Sequence, residues 1–209
     1  AITIMGGSKI STKISIIKNL SKKMSSIAIC GGMANSFIAF NGNEIGASLA
    51  EENVNEEIEE IYNYSNENDC QIILPLDASV APKLDPDINF AVKKIDRLNS
   101  SDMILDIGPV STKDLKEVIS NSKTVFWNGP PGVFEVEPFN KATIEIANHI
   151  ADLTSAGKIQ SFAGGGDTVA AIEMAGVKEK FTYISTGGGA LLELLEGKQL
   201  PGLVSQNIL

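Results

Sequence analysis

Two glycine triplets stand where the chain could bind phosphate. The first lies in "SFAGGGDTVAAIEMAG", residues 161–176, directly before an acid, a hydroxyl residue and a helical pattern. The second lies further along in "YISTGGGALLELLEGK", residues 183–198, where strand-like residues, glycines and a helical pattern follow in the same order. Glycine lets phosphate oxygens approach the free N–H groups of a helix N-terminus without a Cβ in the way. Both triplets are therefore candidate phosphate cradles, although tight turns with positive φ would give the same pattern.

Three further glycine clusters follow apolar, strand-like runs. They read "MGGSK" from residue 5, "CGGMAN" from residue 30 and "WNGPPGVFE" from residue 127. In an open α/β sheet, ligands bind at the carboxyl ends of the strands, where helix N-termini begin. Five clusters in that position favour a shared phosphate-binding role over five unrelated turns.

The charged candidate residues begin with Lys9, the last residue of "MGGSK". Lys9 and Lys13 are spaced i and i+4 on a predicted first helix, so their ammonium groups would leave the same side and could clamp a phosphoryl group. The alternative is a solvated lysine face that continues to Lys18, Lys22 and Lys23. The glycines next to Lys9 favour the clamp.

A second group of candidates lies toward the end of the chain. Asp167 either caps a predicted helix or holds Mg²⁺ bound to a polyphosphate, while Thr168 contacts a phosphate oxygen; the sequence leaves both interpretations open. Glu135 could accept ribose hydroxyls or be a surface turn residue. His149, the single histidine, is expected to pack on a helix rather than to act as a base.

Several common chemistries are excluded by what the sequence lacks. It contains no GxxxxGK[ST] loop and no GxGxxG with an acid on the next strand, which are the two commonest nucleotide fingerprints. HExxH, GxSxG and a Cys/His pair are also missing. Any nucleotide site here must therefore be built differently.

Composition narrows the class of protein. A net charge of −9, a pI near 4.7 and a single arginine, Arg97, argue against nucleic-acid binding. No apolar run reaches the ~18 to 20 residues of a membrane span. Cys30 and Cys70 match neither a metal-ligand spacing nor a disulfide framework, so we expect two buried thiols in a reducing compartment. The expected protein is soluble and cytoplasmic, without a nucleic-acid or membrane partner.

Apolar, β-branched runs alternate with helical patterns along the chain. Strands are predicted at 2–5, 27–30, 72–76, 103–107, 124–127, 160–163 and 182–185. Helices are predicted at 8–24 and at about 52–66, 111–121, 140–156, 167–175 and 189–196. This alternation predicts one α/β domain over residues 1–209, a doubly wound, Rossmann-like three-layer sandwich with a mostly parallel sheet. Residues 78–101, less regular, are expected as an excursion on its rim with one extra strand near 88–92.

Seven motifs in order resemble those of the carboxyl-terminal, nucleotide-binding half of the phosphoglycerate kinases. They are "GGSKISTKI", "CGGMANSF", "LPLD", "LDIGP", "WNGPPGVFE", "AGGGDT" and "STGGGALLELLEGKQLPG", and the resemblance spans nearly all 209 residues. In that family one lobe binds 3-phosphoglycerate through basic residues, and the second lobe binds Mg-ADP or Mg-ATP. The resemblance implies that this chain is the second lobe alone, in agreement with its strand-like start at Ala1 and its lack of a basic pocket.

The resemblance also implies roles for individual residues. Lys13, Gly166 and Gly188 would stabilise the transferring phosphoryl group, with Gly187 beside them, and Asp167 would be the metal ligand. The implied nucleotide-binding set comprises Gly7, Lys9, Lys13, Gly31, Gly32, Leu49, Leu105, Asn128, Pro130, Glu135, Gly165, Gly166, Asp167 and Thr168.

Three positions depart from the family pattern. Asp102 and Ile104 stand where the family has tryptophan and glycine, and Leu84 replaces an aromatic residue. The branched side chain of Ile104 would narrow the slot for the base. One hypothesis is therefore a monomeric nucleotide lobe of a glycolytic kinase that binds ADP or ATP with Mg²⁺ and turns over little by itself, reaching 3-phosphoglycerate only through the other lobe. The alternative is a non-catalytic nucleotide- or partner-binding module.

Overall fold

The computed structural model describes residues 1–185, and the second glycine triplet with its predicted helix at 189–196 lies outside them. The strands are β1 (Ile2–Met5), β2 (Ser26–Ile29), β3 (Gln71–Ile73), β4 (Asp77–Ala81), β5 (Ala91–Lys94), β6 (Met103–Ile107), β7 (Thr124–Asn128), β8 (Gln160–Gly164) and β9 (Tyr183–Ser185). The helices are α1 (Ile14–Ser21), α2 (Gly31–Phe40), α3 (Asn55–Glu67), α4 (Pro109–Ser120), α5 (Lys141–Ser155) and α6 (Gly166–Met174). Each of the seven predicted strands has a counterpart, and so has each predicted helix within the described range.

Six strands form one parallel sheet in the order β3-β2-β1-β7-β8-β9. The chain moves outward from β1 to β3 and then returns to the other side of β1 with β7. This is the order of a doubly wound sheet, whose strand order reverses between its two central strands. The carboxyl ends of β1 and β7 therefore meet at the switch point of the fold.

Helices cover both faces of this sheet, because side chains alternate along each strand. Ile27 and Ile29 of β2 pack in one core with α1, α2 and α3, whereas Ala28 packs in a second core with α4, α5 and α6. Strands that are apolar on both sides, as predicted, require this double cover. The expected three-layer α/β sandwich is thus confirmed. Within residues 1–185, the helices are all too short or too polar to cross a membrane.

The rim excursion is more regular than predicted. Strands β4, β5 and β6 form a separate antiparallel sheet in the order β5-β4-β6, so 103–107 is a strand but not part of the parallel sheet. The sequence analysis missed β4, "DASVA", whose small and polar residues give little strand signal. The extra strand expected near 88–92 lies at 91–94. Ala78 and Val80 of β4 join the core beneath α2, which anchors the small sheet.

Two helix predictions need correction. Helix α1 begins at Ile14 rather than at residue 8, so Lys9 and Lys13 are not neighbours on one helix face. Lys13 is the N-cap residue, and the chain before it turns through a bond from its N–H to the carbonyl of Ile10 (2.7 Å). Helix α2 was not predicted, because it is buried on most sides and has no single apolar stripe.

Two buried acids of the small sheet cap helices that lie elsewhere in the chain. The Asp77 carboxylate accepts the N–H groups of Val110 (3.0 Å) and Ser111 (2.8 Å) in the first turn of α4. The Asp106 carboxylate accepts the N–H of Ala142 (3.0 Å) in the first turn of α5. Both carboxyl groups satisfy free N–H groups at the N-terminus of a helix. They thereby tie β4 and β6 to the helix layer of the main sheet.

The loops that follow β1 and β7 pass each other at van der Waals limits. The Gly6 N–H donates to the carbonyl of Asn128 (3.0 Å). A Cβ on Gly129, whose φ is +110°, would lie 2.5 Å from the Gly6 carbonyl carbon. A Cβ on Gly6 would lie 2.3 Å from the Pro130 carbonyl oxygen. Glycine is required here by the close approach of two backbones, and by the backbone conformation at Gly129.

We expect Gly129→Ala to lower the free energy of unfolding by at least ~3 kcal/mol, because it adds both a backbone clash and positive-φ strain. Gly157→Ala is the matched control: its φ is +66° and no heavy atom lies within 4 Å of the added Cβ. In that control variant the free energy of unfolding should fall by only ~1 kcal/mol. Urea unfolding of both variants measures the difference, and equal losses would show that the two loops separate easily.

Asp106 should make stability pH-dependent. Burial raises the pKa of Asp106 to about 8, although the N–H groups of Ala142 and Ile107 oppose that rise. Between pH ~4 and ~8 the folded chain therefore holds a proton that the unfolded chain has lost, and the free energy of unfolding falls as pH rises, by at most ~1.4 kcal/mol per pH unit. We expect Asp106→Asn to flatten this slope in urea unfolding from pH 5 to 8. Asp114→Asn, an exposed acid on α4, should keep it.

Candidate functional site

Two adjoining cavities open at the carboxyl edge of the parallel sheet, over the switch point. The small cavity, about 340 Å³, lies among the loops after β1 and β7 and the start of α6. The large cavity, about 580 Å³, extends from there toward α2 and β6. Gly7, Ser8, Pro130 and Asp167 line both cavities. One elongated ligand could therefore occupy both.

Lys13 joins the two central loops at the floor of the small cavity. Its Nζ donates to Asn128 Oδ1 (2.6 Å) and to the carbonyl of Gly6 (3.3 Å). Burial lowers the pKa of Lys13, and the negative charge of Asp167 opposes that effect. A half-buried ammonium held by neutral acceptors presents a strong field to an anion that enters the cavity.

The first glycine triplet gives α6 its start. Gly165 is the N-cap residue with a φ of +95°, and an added Cβ would lie 3.0 Å from Asn128 Nδ2. The side chain of Asn128 also donates to the carbonyl of Gly164 (2.8 Å). Gly166 opens the helix with clear space around its Cα. Among residues 1–185 nothing therefore covers this helix N-terminus, which borders the small cavity.

Thr168 and Asp167 take different positions in this turn. Thr168 is buried, and its Oγ1 accepts the N–H of Gly129 (2.6 Å), which leaves the hydroxyl proton free to donate. Asp167 is exposed in the first turn of α6 and is not the cap residue. Within residues 1–185 its carboxylate has no hydrogen-bond partner, so the capping interpretation is wrong.

The large cavity is mostly apolar. Gly31 and Gly32 of α2 line it together with Leu49 and Leu105, and Leu49 is 66% exposed. Ile104 lies on the same wall, as does Leu84. Glu135 adds a carboxylate from the loop after β7. A slot of apolar walls with a few polar groups suits a flat ring system with polar substituents.

The structure brings together every sequence-predicted site residue that it describes. All fourteen residues of the implied nucleotide-binding set line one or both cavities, including Lys9, which lies in a loop rather than on a helix. Gly187 and Gly188 lie outside the described residues. Sequence reasoning missed Ser8, Met103, Val133 and Phe134, which also line the cavities. It also missed Asn35, which donates to the Leu49 carbonyl (2.8 Å); its position on α2 was hidden because that helix was not predicted.

The departures from the family pattern have separate outcomes. Asp102 does not line either cavity, and both of its oxygens accept from Lys93 Nζ (2.8 Å each). Ile104 does line the large cavity, and its N–H donates to Ser48 Oγ (2.9 Å). Ile104 and Leu84, which both line the large cavity, are therefore the departures placed to alter a ligand's fit.

Other expected core residues lie away from the cavities. Trp127 is fully buried. Cys30 and Cys70 are buried free thiols, as predicted. Burial raises the pKa of Cys30 to about 12, which keeps the thiol protonated. His149 packs α5 against α4, with Nε2 3.0 Å from the Lys116 carbonyl oxygen. The prediction of a packed histidine is confirmed.

The described residues offer a metal ion one carboxylate in the small cavity rather than a cluster. No group of three or more His, Cys, Asp or Glu side chains within residues 1–185 could hold a metal ion. Mg²⁺ commonly uses one or two carboxylates together with substrate phosphates and waters. Asp167 is exposed at the junction of the cavities and has no hydrogen-bond or ion-pair partner within residues 1–185, which fits that use.

Comparison with known proteins gives a consistent result. The family model described as phosphoglycerate kinase matches residues 1–198. Phosphoglycerate kinases of Caulobacter vibrioides and Agrobacterium fabrum are 47% and 46% identical over 98% and 97% of this chain. The chain spans about half the length of these relatives, 52% and 50% respectively.

Solved structures of the same family share the fold. The phosphoglycerate kinase of Coxiella burnetii superposes with a TM-score of 0.89 at 37% identity, over 94% of this chain and 50% of that one. The enzyme of Pyrococcus horikoshii gives a TM-score of 0.76 at 27% identity, over 99% of this chain and 51% of that one. With the switch-point cavities, the motif order and these matches in agreement, the chain belongs to the phosphoglycerate kinase family.

Proposed function

We propose that this chain is the nucleotide-binding, carboxyl-terminal lobe of a phosphoglycerate kinase, as one domain over residues 1–209. The reaction is reversible phosphoryl transfer between 1,3-bisphosphoglycerate and ADP, giving 3-phosphoglycerate and ATP. One observation carries the proposal: an apolar slot runs directly into a cavity bordered by lysines and by the N-terminus of α6. A nucleoside diphosphate has the same division into an apolar, planar end and an anionic end.

The two cavities suit the two ends of a nucleoside diphosphate. The base would lie in the large cavity between Gly31, Gly32 and Leu49, with Glu135 available to the ribose hydroxyls. The phosphates would enter the small cavity, where the first turn of α6 offers free N–H groups. Thr168 would add its hydroxyl proton.

Phosphoryl transfer needs positioning and charge stabilisation more than a covalent nucleophile. Lys13 would supply the positive charge at the transferring group, with the N–H of Gly166 and, from the segment beyond the described residues, that of Gly188. Asn128 and the Gly6 carbonyl hold the Lys13 ammonium in place before the ligand arrives. Lys9 would contact the phosphates from the loop. The site therefore acts as a preorganised electrostatic cradle.

Asp167 would hold Mg²⁺, which neutralises phosphate charge when it is bound with the nucleotide. The carboxylate lies at the junction of the two cavities, where the phosphates of a bound nucleotide would begin. Its negative charge also favours the protonated form of Lys13. The same residue thus serves the metal and the lysine.

This lobe alone is expected to bind nucleotide with little or no turnover. The basic residues that would hold 3-phosphoglycerate belong to the other half of the relatives' length. We further propose a monomer that works in the cytoplasm, without nucleic-acid or membrane partners. The alternative function is a non-catalytic nucleotide- or partner-binding module, and Ile104 on the wall of the large cavity is the observation that favours it.

A calorimetric titration with ADP, with and without Mg²⁺, tests the proposal. We expect binding that tightens when Mg²⁺ is present, because Asp167 would hold the metal ion and the metal ion would neutralise phosphate charge. A chain that is folded but binds no ADP at millimolar concentration would contradict the proposal, and the non-catalytic module would then be the better assignment.

Asp167→Ala should remove most of the Mg²⁺ dependence of ADP binding. The free energy of unfolding should change by less than ~1 kcal/mol, since the carboxylate makes no cap contact. Glu173→Ala, a carboxylate near the other end of α6, serves as the control and should keep the metal dependence. Unchanged metal dependence in Asp167→Ala would remove Asp167 from the metal site.

Lys13→Met should weaken ADP binding at least about tenfold, because a charged hydrogen bond to phosphate is lost from a partly buried position. Lys23→Met removes an exposed lysine that lies beyond the end of α1, and it should leave the affinity unchanged. Equal affinities for the two variants in the same titration would favour the solvated lysine face over the phosphate clamp.

A further inference from the structure

The loop of residues 8–13, here called the lysine loop, must hold its shape without helical hydrogen bonding. It carries Lys9 and Lys13 between β1 and α1. Inside the loop, the Lys13 N–H donates to Ile10 (2.7 Å) and Thr12 Oγ1 donates to the Lys9 carbonyl (3.2 Å). Ile10 is fully buried in the core. These contacts fix one end of the loop and leave the exposed Ser11 to be held from outside.

Glu51 provides that outside contact. One carboxylate oxygen accepts the N–H of Ser11 (3.0 Å), and the other accepts the Ser11 hydroxyl. Ser11 and Glu51 are 40 residues apart in the chain, so this is a tertiary contact. The Ser11 hydrogen bonds, with a smaller effect from the charge of Lys9, hold the pKa of Glu51 below its usual value. The carboxylate is therefore ionised at neutral pH.

Glu51 belongs to a segment that also forms a wall of the large cavity. This segment, residues 45–54, is called the wall segment here and carries Leu49 into the cavity. The Glu51 N–H donates to Ser36 Oγ (2.9 Å) and the Leu49 carbonyl accepts from Asn35 (2.8 Å), both on α2. The wall segment is thus anchored on the helix that lines the same cavity.

A third anchor connects the wall segment to the small sheet. The Ile104 N–H donates to Ser48 Oγ (2.9 Å), which lies next to Leu49. The wall segment is consequently fixed to both sides of the large cavity, and its far end reaches the lysine loop. Leu49 and the two lysines are therefore joined through a single short stretch of chain.

We propose that Glu51 is a positioning residue that fixes Lys9 and Lys13 relative to the large cavity. This inference rests on the proposed nucleotide site. In it, Glu51 contacts neither the base nor the phosphates but holds the lysine loop at the distance that a diphosphate spans from the base. The Glu51 side chain affects only the phosphate end of the ligand. The wall around the base keeps its own hydrogen bonds, from Asn35 to the Leu49 carbonyl and from Ile104 to Ser48.

Two other roles for Glu51 predict different results. A carboxylate that merely neutralises Lys9 would oppose phosphate binding, so its removal would tighten ADP binding. A purely structural contact would weaken AMP and ADP alike. A positioning residue instead weakens ADP selectively, because AMP has one phosphate fewer to place in the small cavity.

The test compares AMP and Mg-ADP by calorimetric titration of the full chain. For Glu51→Ala we expect the ratio of ADP to AMP affinity to fall about tenfold, with AMP binding unchanged within about twofold. Glu51→Gln keeps an acceptor for the Ser11 N–H. Its ratio of ADP to AMP affinity should therefore lie between the ratios of the wild-type chain and of Glu51→Ala. Glu52→Ala is the matched control, since this neighbouring carboxylate is exposed and has no hydrogen-bond partner within residues 1–185.

Ser11→Ala tests the same contact from the loop side and does not depend on the folding of the Glu51 variants. It removes the hydroxyl donor and should lower the ADP to AMP ratio in the same direction. An equal loss for both nucleotides, tighter ADP binding, or an unchanged ratio would each overturn the positioning role. A folded wild-type chain that binds neither nucleotide would instead overturn the proposed function, and this inference with it.

Discussion

The site depends on two backbones that touch at the switch point of the sheet. Gly6 and Gly129 allow the loops after β1 and β7 to approach within hydrogen-bonding distance, and side chains at either position would collide with the opposite backbone. Lys13 reaches both loops only because they are this close. Thr168 then ties α6 to the same point through Gly129. One steric constraint, the lack of a Cβ at two positions, therefore brings the lysine and the helix N-terminus to one cavity.

One wall of the large cavity comes from the small antiparallel sheet, which is separate from the parallel sheet. Strands β5 and β6 each pair antiparallel with β4, and none of the three pairs with the parallel strands described in residues 1–185. Buried carboxylates hold them in place: Asp77 caps α4 and Asp106 caps α5, each from outside the helix. An acid removed from water is stable only if its oxygens are satisfied, and helix N-termini supply that satisfaction. These contacts position Ile104 and Leu105 opposite α2, which completes the large cavity.

Local sequence signals predicted the elements better than their assembly. The strand-like runs and the helices α3 to α6 were recognisable, because apolar periodicity is a local property. Helix α2 and strand β4 were missed, since a helix buried on most sides has no apolar stripe and "DASVA" has little strand signal. The start of α1 was placed too early because the apolar residues from Ile10 to Met24 keep a helical spacing, whereas the Glu51 contact with Ser11 holds the loop in a turn. That contact joins residues far apart in sequence.

By itself, the sequence determined the alternation of strands and helices, the glycine clusters at strand ends and, through the order of its motifs, the family. These depend on residue type and spacing along a short stretch of chain, which any folded context preserves. Only the tertiary structure decided that Lys13 lies against Asn128, that Asp167 is free rather than a cap, and that Glu51 reaches the lysine loop. Each of these depends on distances between segments remote in sequence, and those distances are set by strand order and packing, which local patterns do not encode.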